Sequence, residues 1–289
     1  MRQENISDLF FRRALFVASI FILLICAGMV YAMVSGSWAG LSKFGFFHFF
    51  FSSTWDPTLG HEQYGALSFI VGTLLTSVLA LGFCLPFSLS VALFIGEYFK
   101  GKKVANVISS VIDLLAGIPS IVYGLWGFYT LRPLMQGWGL SEQGFGILTA
   151  SLVLSIMIIP YAASLSAEFI RMVPRQLKEG AYSLGATHFE VVRSVMFPAS
   201  GSGIFASYVL ALGRALGETM AVTMLIGNTN DLPTSLTATG NTMASIIANQ
   251  FGEADGLKLS SLIALGLMLF LITAVINFIG KMIMKKFTV

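Results

Sequence analysis

Long apolar runs separated by short polar segments make up most of this chain. A membrane-spanning helix needs about 20 mostly apolar residues, and six stretches of the sequence reach that length with almost no charge. They cover roughly residues 14–35, 66–96, 104–130, 146–170, 201–227 and 259–281. The pattern predicts an all-α integral membrane protein with six transmembrane helices.

The composition agrees with a membrane protein. Hydrophobic residues account for 56% of the 289 positions and charged residues for 11%, whereas soluble proteins carry about 25% charged residues. The mean hydropathy is +0.82. So little charge cannot cover the surface of a soluble protein of this size, and disordered and disulfide-stapled classes are excluded too. The net charge of +3 comes without an aromatic-interleaved basic patch, so no nucleic-acid partner is expected.

Lysine and arginine indicate which side of the membrane each loop occupies, because short cytoplasmic loops retain them. With the N-terminus inside, the cytoplasmic segments carry 13 basic residues, and the opposite side carries 3. The 13 are Arg2, Arg12, Arg13, Lys100, Lys102, Lys103, Arg171, Arg175, Lys178, Arg193, Lys281, Lys285 and Lys286, and the 3 are Lys43, Arg132 and Lys258. Both termini are therefore predicted to be cytoplasmic.

Three regions are expected along the chain. Residues 1–65 would hold a cytoplasmic tail, the first transmembrane helix and an external loop rich in Phe and Trp, which would lie at the lipid headgroups. Residues 66–282 would form the transmembrane domain, and residues 283–289 a cytoplasmic basic tail. In a second external excursion, the apolar spacing over residues 241–251 favours a short re-entrant or interfacial helix.

The chain carries no motif for catalysis, metal binding or a cofactor. Cys26 and Cys84 sit in apolar stretches without metal-ligand spacing, and we expect both to be small buried hydrophobic residues. Residues 96–103 have the glycine spacing of a P-loop, but Lys103 stands where a magnesium-binding Ser or Thr is needed. We therefore expect that this chain is not an enzyme and does not itself hydrolyse ATP.

The segment between the fourth and fifth predicted spans, residues 173–200, carries helix start and stop signals. Pro174 suits the first position of a helix, and Gly185 suits its left-handed end. Thr187 and Glu190 form a Thr-x-x-Glu capping box for a second helix. Exposed small and apolar groups at this turn favour a docking element, with a hairpin lying on the headgroups as the alternative. The candidate contacts are Glu179, Ala181, Leu184, Gly185, Thr187 and Glu190.

Three charged residues fall inside predicted spans. Arg214 lies near the middle of the fifth span, Glu218 one helical turn further on the same face, and Asp113 about nine residues into the third. Each such charge costs about 2.5–3.5 kcal/mol on insertion scales, so it tends to face a bundle interior or water. The residues themselves leave two interpretations open, namely structural pairing between helices and a substrate pathway.

The string EGAYSLGATHFEVVRSVMFP, residues 179–198, resembles the EAA loop of type I ABC-importer permeases. The matching positions are Glu179, Ala181, Gly185 and Pro198, while Gly180 stands where the family usually has alanine. The resemblance implies that this loop sits in a cleft of a separate cytoplasmic ATPase and passes its motion to the bundle. It also implies the type I permease fold.

Four further strings resemble PstC-type permease subunits of bacterial phosphate-specific ABC importers. They are WDP at 55–57, YGALSFIVGTLLTS at 64–77, GIPSIVYGLWG at 117–127 and GRALGETMAVTMLIGN at 213–228. The resemblance implies a non-catalytic subunit that forms half of a phosphate pathway in the bacterial inner membrane, surrounded by lipid. It favours Arg214, Glu218 and Asp113 as pathway residues. The implied partners are a PstA-type second permease, a PstB-type ATPase dimer and an external PstS-type phosphate-binding protein.

Other functions stay open at this stage. The same machinery could import another oxyanion such as molybdate or sulfate. An ion-coupled secondary transporter would be expected to show inverted repeats, and none is visible. An intramembrane enzyme lacks support, because the three histidines are scattered outside the predicted spans without a catalytic motif.

Overall fold

The computed structural model describes residues 6–58 and 60–287. Arg2 and the side chain of Lys286, both used in the topology prediction, lie outside this description, as do the outermost residues of the two predicted tails.

Helices make up most of the described chain. In order they are α1 (Ile6–Phe44), α2 (Phe46–Phe51), α3 (Leu67–Leu93), α4 (Lys103–Gly117), α5 (Ser120–Trp126), α6 (Arg132–Gly137), α7 (Ile147–Arg171), α8 (Arg175–Ser183), α9 (His188–Val191), α10 (Phe197–Leu216), α11 (Met220–Thr223), α12 (Met243–Gln250) and α13 (Gly256–Phe287). Three π-helical segments, Phe94–Tyr98, Gly127–Leu131 and Val192–Met196, continue α3, α5 and α9. A 3-10 turn, Phe251–Glu253, follows α12. The strands β1 (Trp55–Asp56) and β2 (Gln63–Tyr64) pair antiparallel, with Trp55 opposite Tyr64.

The apolar helices confirm an all-α membrane protein. Among the residues that the structure describes, five helical runs are long and apolar enough to span a bilayer, and a sixth span arises if one bent helix pair is counted as a unit. The five are Phe10–Phe44, Leu67–Tyr98, Ile147–Arg171, His188–Leu216 and Gly256–Lys285, and the bent pair is Lys103–Gly117 with Ser120–Gly137. The first helix is longer than predicted and takes in the beginning of the expected aromatic loop.

The third predicted span, residues 104–130, is sharply bent rather than straight. The two helices of the bent pair meet at an angle of 94°. Ile118 and Pro119 are extended at the bend, with ψ of 129° and 140°. A proline ring disfavours the helical conformation of the residue before it, which accounts for Ile118. The Tyr123 hydroxyl donates a hydrogen bond of 2.9 Å to the carbonyl of Leu115, which also accepts from the Ile118 amide at 3.2 Å, so this carbonyl at the bend is well satisfied.

The helices pack around α7, which is the most buried of the spanning helices. It contacts α3 and α10 extensively, and α13 packs against α1 and α10. Small residues allow close approach between these helices. Buried side chains of α7 such as Val153, Leu154 and Ile158 form the centre of the core. Cys84 is buried as predicted, whereas Cys26 is exposed on α1, contrary to the prediction.

The predicted short helix in residues 241–251 is present as α12, at the end of the bundle where α3 and α7 begin. Thr242 caps it by accepting a bond of 3.1 Å from the Ser245 amide. The Met243 amide donates to the Thr73 hydroxyl of α3 at 3.0 Å. The side chains of Met243 and Ile246 are buried against α3 and α13. We refer to this as the α12 end, and to the opposite end as the α8–α9 end.

Candidate functional site

Two interruptions of long helices lie close together inside the bundle. One is the bend before α5, and the other is the break at Gly217–Thr219 between α10 and α11. The helices that follow them, α5 and α11, pack against each other. Gly124 permits this contact, because a Cβ there would lie 3.1 Å from Cα of Ala221. We call this region, with α5, α11 and the two breaks, the junction. Irregular backbone within a membrane is tolerated where it is buried in protein or lines a cavity.

Arg214 lies in the last turn of α10, directly before the second break. Its side chain is half-buried, and its guanidinium carbon lies 4.3 Å from the ring centroid of Tyr161 on α7. The Nε atom is buried and has no hydrogen-bond partner among the described residues. The ring stabilises the cation, and so does the negative end of the α10 dipole. Nε of Arg214 is not engaged by another group of the described chain.

Glu218 does not continue the helix of Arg214, so its predicted position one turn further on the same helical face is wrong. The helix ends at Leu216, and Glu218 is half-buried within the break. Its carboxylate accepts a long bond of 3.4 Å from the amide of Ala221, at the start of α11. In the described part of the chain it forms no ion pair with Arg214.

Asp113 is exposed on α4, one turn before the bend. It makes no ion pair within the described ranges. The structure therefore places Arg214 and Glu218 at the same helix break and leaves Asp113 on an open face of the single chain. Sequence reasoning missed Tyr161 and Tyr123. Tyr161 stacks on the guanidinium of Arg214, and Tyr123 lies within electrostatic range of it. In the sequence, a tyrosine inside an apolar run gives no sign that it will lie beside an arginine.

A second site lies at the α8–α9 end. There α8 and α9 are joined by a tight turn at Gly185, whose φ is +84°. The predicted left-handed glycine is thus confirmed, but Pro174 stands just before α8 rather than at its first position. The predicted capping box is also present, because the Thr187 amide donates to the Glu190 carboxylate at 2.8 Å and the Glu190 amide donates to the Thr187 hydroxyl oxygen at 3.4 Å. We call residues 174–191 the α8–α9 loop.

The α8–α9 loop presents apolar side chains to its surroundings. Leu184 at the turn is 90% exposed and Phe189 is 63% exposed. Five of the six predicted contact residues are exposed, and the sixth, Ala181, is half-buried against the core. Exposed apolar groups clustered beside charged residues mark interaction surfaces. Phe189 was not singled out in the sequence, although an aromatic residue in an otherwise polar loop is a usable signal.

Contacts from α8 and α9 hold the loop against the end of α3. Lys178 of α8 forms an ion pair with Glu97 of the π-helical segment after α3. The ring of His188 packs edge-on against Tyr98 at 4.7 Å, and its Nδ1 lies 2.6 Å from the Tyr182 hydroxyl. Partial burial, and next the charge of Glu97, raise the pKa of Tyr182. The hydroxyl therefore stays protonated at neutral pH. None of these partners on α3 was predicted.

A third feature is an open cleft of about 850 Å³ at the α12 end, between residues 139–145 and 223–239. Many hydroxyl groups line this cleft, but most of them donate their hydrogen bonds to other groups nearby in the chain. Thr223 donates to the carbonyl of Thr219 at 2.7 Å, and Ser141 donates to that of Phe145 at 2.6 Å. These groups therefore build the loops. The described residues contain no cluster of three or more His, Cys, Asp or Glu side chains that could hold a metal ion.

The chain is similar to known transport proteins over almost its whole length. Residues 85–289 match the family of binding-protein-dependent transport system inner membrane components. The phosphate transport system permease protein PstC of Haemophilus influenzae is 43% identical over 94% of this chain and 91% of its own. The protein of the same name from Pasteurella multocida is 40% identical over 98% of this chain and 93% of its own.

A likeness in structure accompanies the likeness in sequence. A chain in the crystal structure of a bacterial alginate ABC transporter, in complex with an alginate pentasaccharide-bound periplasmic protein, superposes with a TM-score of 0.67. The match covers 98% of this chain and 96% of that chain, at 17% identity. It confirms the expected fold of a type I ABC-importer permease.

Proposed function

The chain belongs to the family of binding-protein-dependent transport system inner membrane components, and we propose that it is the permease subunit of an ATP-driven importer of inorganic phosphate. It is a multi-pass protein of the bacterial inner membrane and is not itself an enzyme. The observation that carries the proposal is about 40% identity over nearly the full chain to permeases named for phosphate transport.

As a member of this family the chain acts within an ABC system together with partner subunits. The finer assignment follows the motifs in the sequence, namely a PstA-type second permease, a PstB-type ATPase dimer and a PstS-type external binding protein. The α8–α9 loop would enter the ATPase, so the α8–α9 end is cytoplasmic. The excess of basic residues on the segments assigned to that side supports this orientation, with both termini cytoplasmic. Residues 66–282 would be the transmembrane domain, flanked by residues 1–65 and 283–289.

Phosphate would cross the bilayer past the junction, with Arg214 as its main contact. A phosphate ion carries between one and two negative charges at neutral pH, and a dry bundle presents a large desolvation barrier to it. The guanidinium offers fork-shaped, charge-assisted hydrogen bonds at this point, and its buried Nε lacks a partner in the described chain. Glu218, in the same break, would limit how tightly the anion is held. Asp113 would flank the pathway that the second permease closes.

The test replaces Arg214 and follows assembly, ATP hydrolysis and uptake separately. Arg214→Gln keeps hydrogen-bonding capacity but removes the charge. Charge-assisted hydrogen bonds contribute about 1.5–3 kcal/mol, so labelled-phosphate uptake should fall about 10-fold to 100-fold in an assembled complex that still hydrolyses ATP. Arg214→Lys should recover part of the uptake, because an ammonium lacks the planar fork. The matched control is Arg132→Gln, since Arg132 also stacks on aromatic rings but lies outside the junction.

A structural role for Arg214 predicts a different result. Arg214→Gln would then lower the membrane level or the co-purification of partners, and neutralising Glu218 as well would restore both together with uptake. Near-normal uptake by the double variant would refute the pathway role. Competition by sulfate or molybdate, measured in the same vesicles, decides between phosphate and another oxyanion as cargo.

A further inference from the structure

The ion pair between Glu97 and Lys178 is unusual for its position. It joins two residues that are 81 positions apart, one at the end of α3 and one in the exposed α8–α9 loop. Each side chain is only 11% exposed. The other ion pair in the described chain, Lys43 with Glu62, is far more open, at 47% and 22%. The partly buried pair is thus set into a loop whose neighbouring residues are mostly exposed.

Partial burial makes this pair a poor source of stability but a strong geometric constraint. Taking two charges out of water costs free energy that their attraction only partly repays. Once formed, such a pair is costly to separate, because either partner alone would be left as an uncompensated buried charge. A buried pair therefore holds two elements at a fixed separation more firmly than an exposed pair does.

The segment that carries Glu97 is itself held firmly against α7. It is π-helical over Phe94–Tyr98, a geometry that is often found at functional sites. Nη2 of Arg171, at the end of α7, donates 3.0 Å to the carbonyl of Ile95. Gly96 faces α7 so closely that a Cβ would lie 3.2 Å from the carbonyl of Ala167. A displacement of Lys178 therefore acts on a rigid end of α3 rather than on a loose loop.

We propose that Glu97 and Lys178 are positioning residues that pass the motion of the α8–α9 loop to α3. The proposal rests on the proposed function, in which this loop docks on the ATPase. When the ATPase moves the loop, the pair carries the end of α3 with it. The long helix α3, which contacts α7 over much of its length and packs on α10, then transmits the motion towards the junction. The pair fixes a distance and does not touch the transported ion.

The experiment uses the whole complex in vesicles, with phosphate uptake and ATP hydrolysis measured on the same sample. In Glu97→Gln and Lys178→Gln the complex should assemble and keep binding-protein-stimulated ATP hydrolysis. The phosphate transported per ATP should fall about 10-fold. The charge-swapped double variant, Glu97→Lys with Lys178→Glu, should regain at least half of the ratio. The matched control, Lys43→Gln in the exposed pair, should leave the ratio unchanged.

Glu97→Asp distinguishes an ion pair that fixes the distance between two elements from one that only neutralises charge. It keeps both charges but shortens the reach by one methylene, so a distance-fixing pair predicts a reduced phosphate-to-ATP ratio. A normal ratio in Glu97→Asp would overturn the proposal, also when the glutamine variants fail to assemble. So would normal ratios in both glutamine variants, or a charge swap that assembles without recovering coupling. If the wild-type complex takes up no phosphate, the proposed function fails instead, and the ratio is measured with the oxyanion that it does transport.

Discussion

Two glycines of the α8–α9 loop, Gly185 and Gly180, can each be replaced by alanine, and the two replacements are expected to have opposite effects on the conformational energy of the loop. Gly185 has φ +84°, and a Cβ placed there would meet no atom within 4 Å. Gly180 lies in α8, and its Cβ position is equally open. Alanine at either site therefore causes no clash within the chain. What differs is the backbone, because left-handed geometry costs an L-residue about 1–2 kcal/mol, whereas alanine is favoured over glycine inside a helix by about 0.5–1 kcal/mol.

These values translate into a measurable change in docking. A cost of 1–2 kcal/mol corresponds to a factor of about 5–30 in an equilibrium constant. If the left-handed turn sets the shape that enters the ATPase, Gly185→Ala should raise the Kd of the purified ATPase for the permease by that factor. Gly180→Ala should leave the Kd unchanged or lower it slightly. Gly185→Asn should lose less than Gly185→Ala, because asparagine tolerates this backbone region better than other residues.

The assay is a titration of ATPase against permease in detergent or lipid nanodiscs, with thermal unfolding as a check on integrity. A Kd for Gly185→Ala within twofold of wild type would refute the role of the turn. Equal losses in Gly185→Ala and Gly180→Ala would point to steric exclusion by the partner rather than to backbone strain. Either result would require another account of how the loop is recognised.

Three further predictions concern topology, packing and capping. In a background without native cysteines, Lys100→Cys should be labelled from the cytoplasm and Leu236→Cys from the outside. Labelling of both cysteines from the same face would contradict the six-span topology. Gly72→Ala should lower the free energy of unfolding by about 1–3 kcal/mol, because its Cβ would meet a backbone carbonyl of the loop before α12. Gly82→Ala in the same helix is the control, because its Cβ would meet open space. Thr187→Ala should cost about 1 kcal/mol and weaken ATPase binding without changing the membrane level, as measured by titration and immunoblotting.

The features predicted well from the sequence are those that depend on a few neighbouring residues. Apolar length sets which segments can span a bilayer, and the structure contains a spanning run at each predicted place if the bent pair counts as one. The capping box at Thr187 and the left-handed turn at Gly185 were also predictable. Both follow from the bonding and backbone preferences of single residues, which hold whatever the rest of the chain does.

The candidate site depends more on tertiary packing. Pro119 indicates a kinked or interrupted helix in the sequence. The 94° angle of the bend depends on the helices that pack against α5, among them α11 and α7. The assumption of a continuous fifth span placed Glu218 on the helix of Arg214, and the break after Leu216 removed that relation. The break contains no proline, so helical periodicity gave no warning of it.

The ion pair of Glu97 with Lys178 is the feature that could least be predicted from the sequence. Both residues were visible as charges, Glu97 within the string at 96–103 that has P-loop spacing and Lys178 in the docking loop, and 81 positions separate them. Periodicity and capping act over a few residues, so they fix each helix but not which helix ends meet. Only the packing of α3 and α7 brings these charges together, because their contact places both helix ends under the α8–α9 loop and leaves each side chain only 11% exposed.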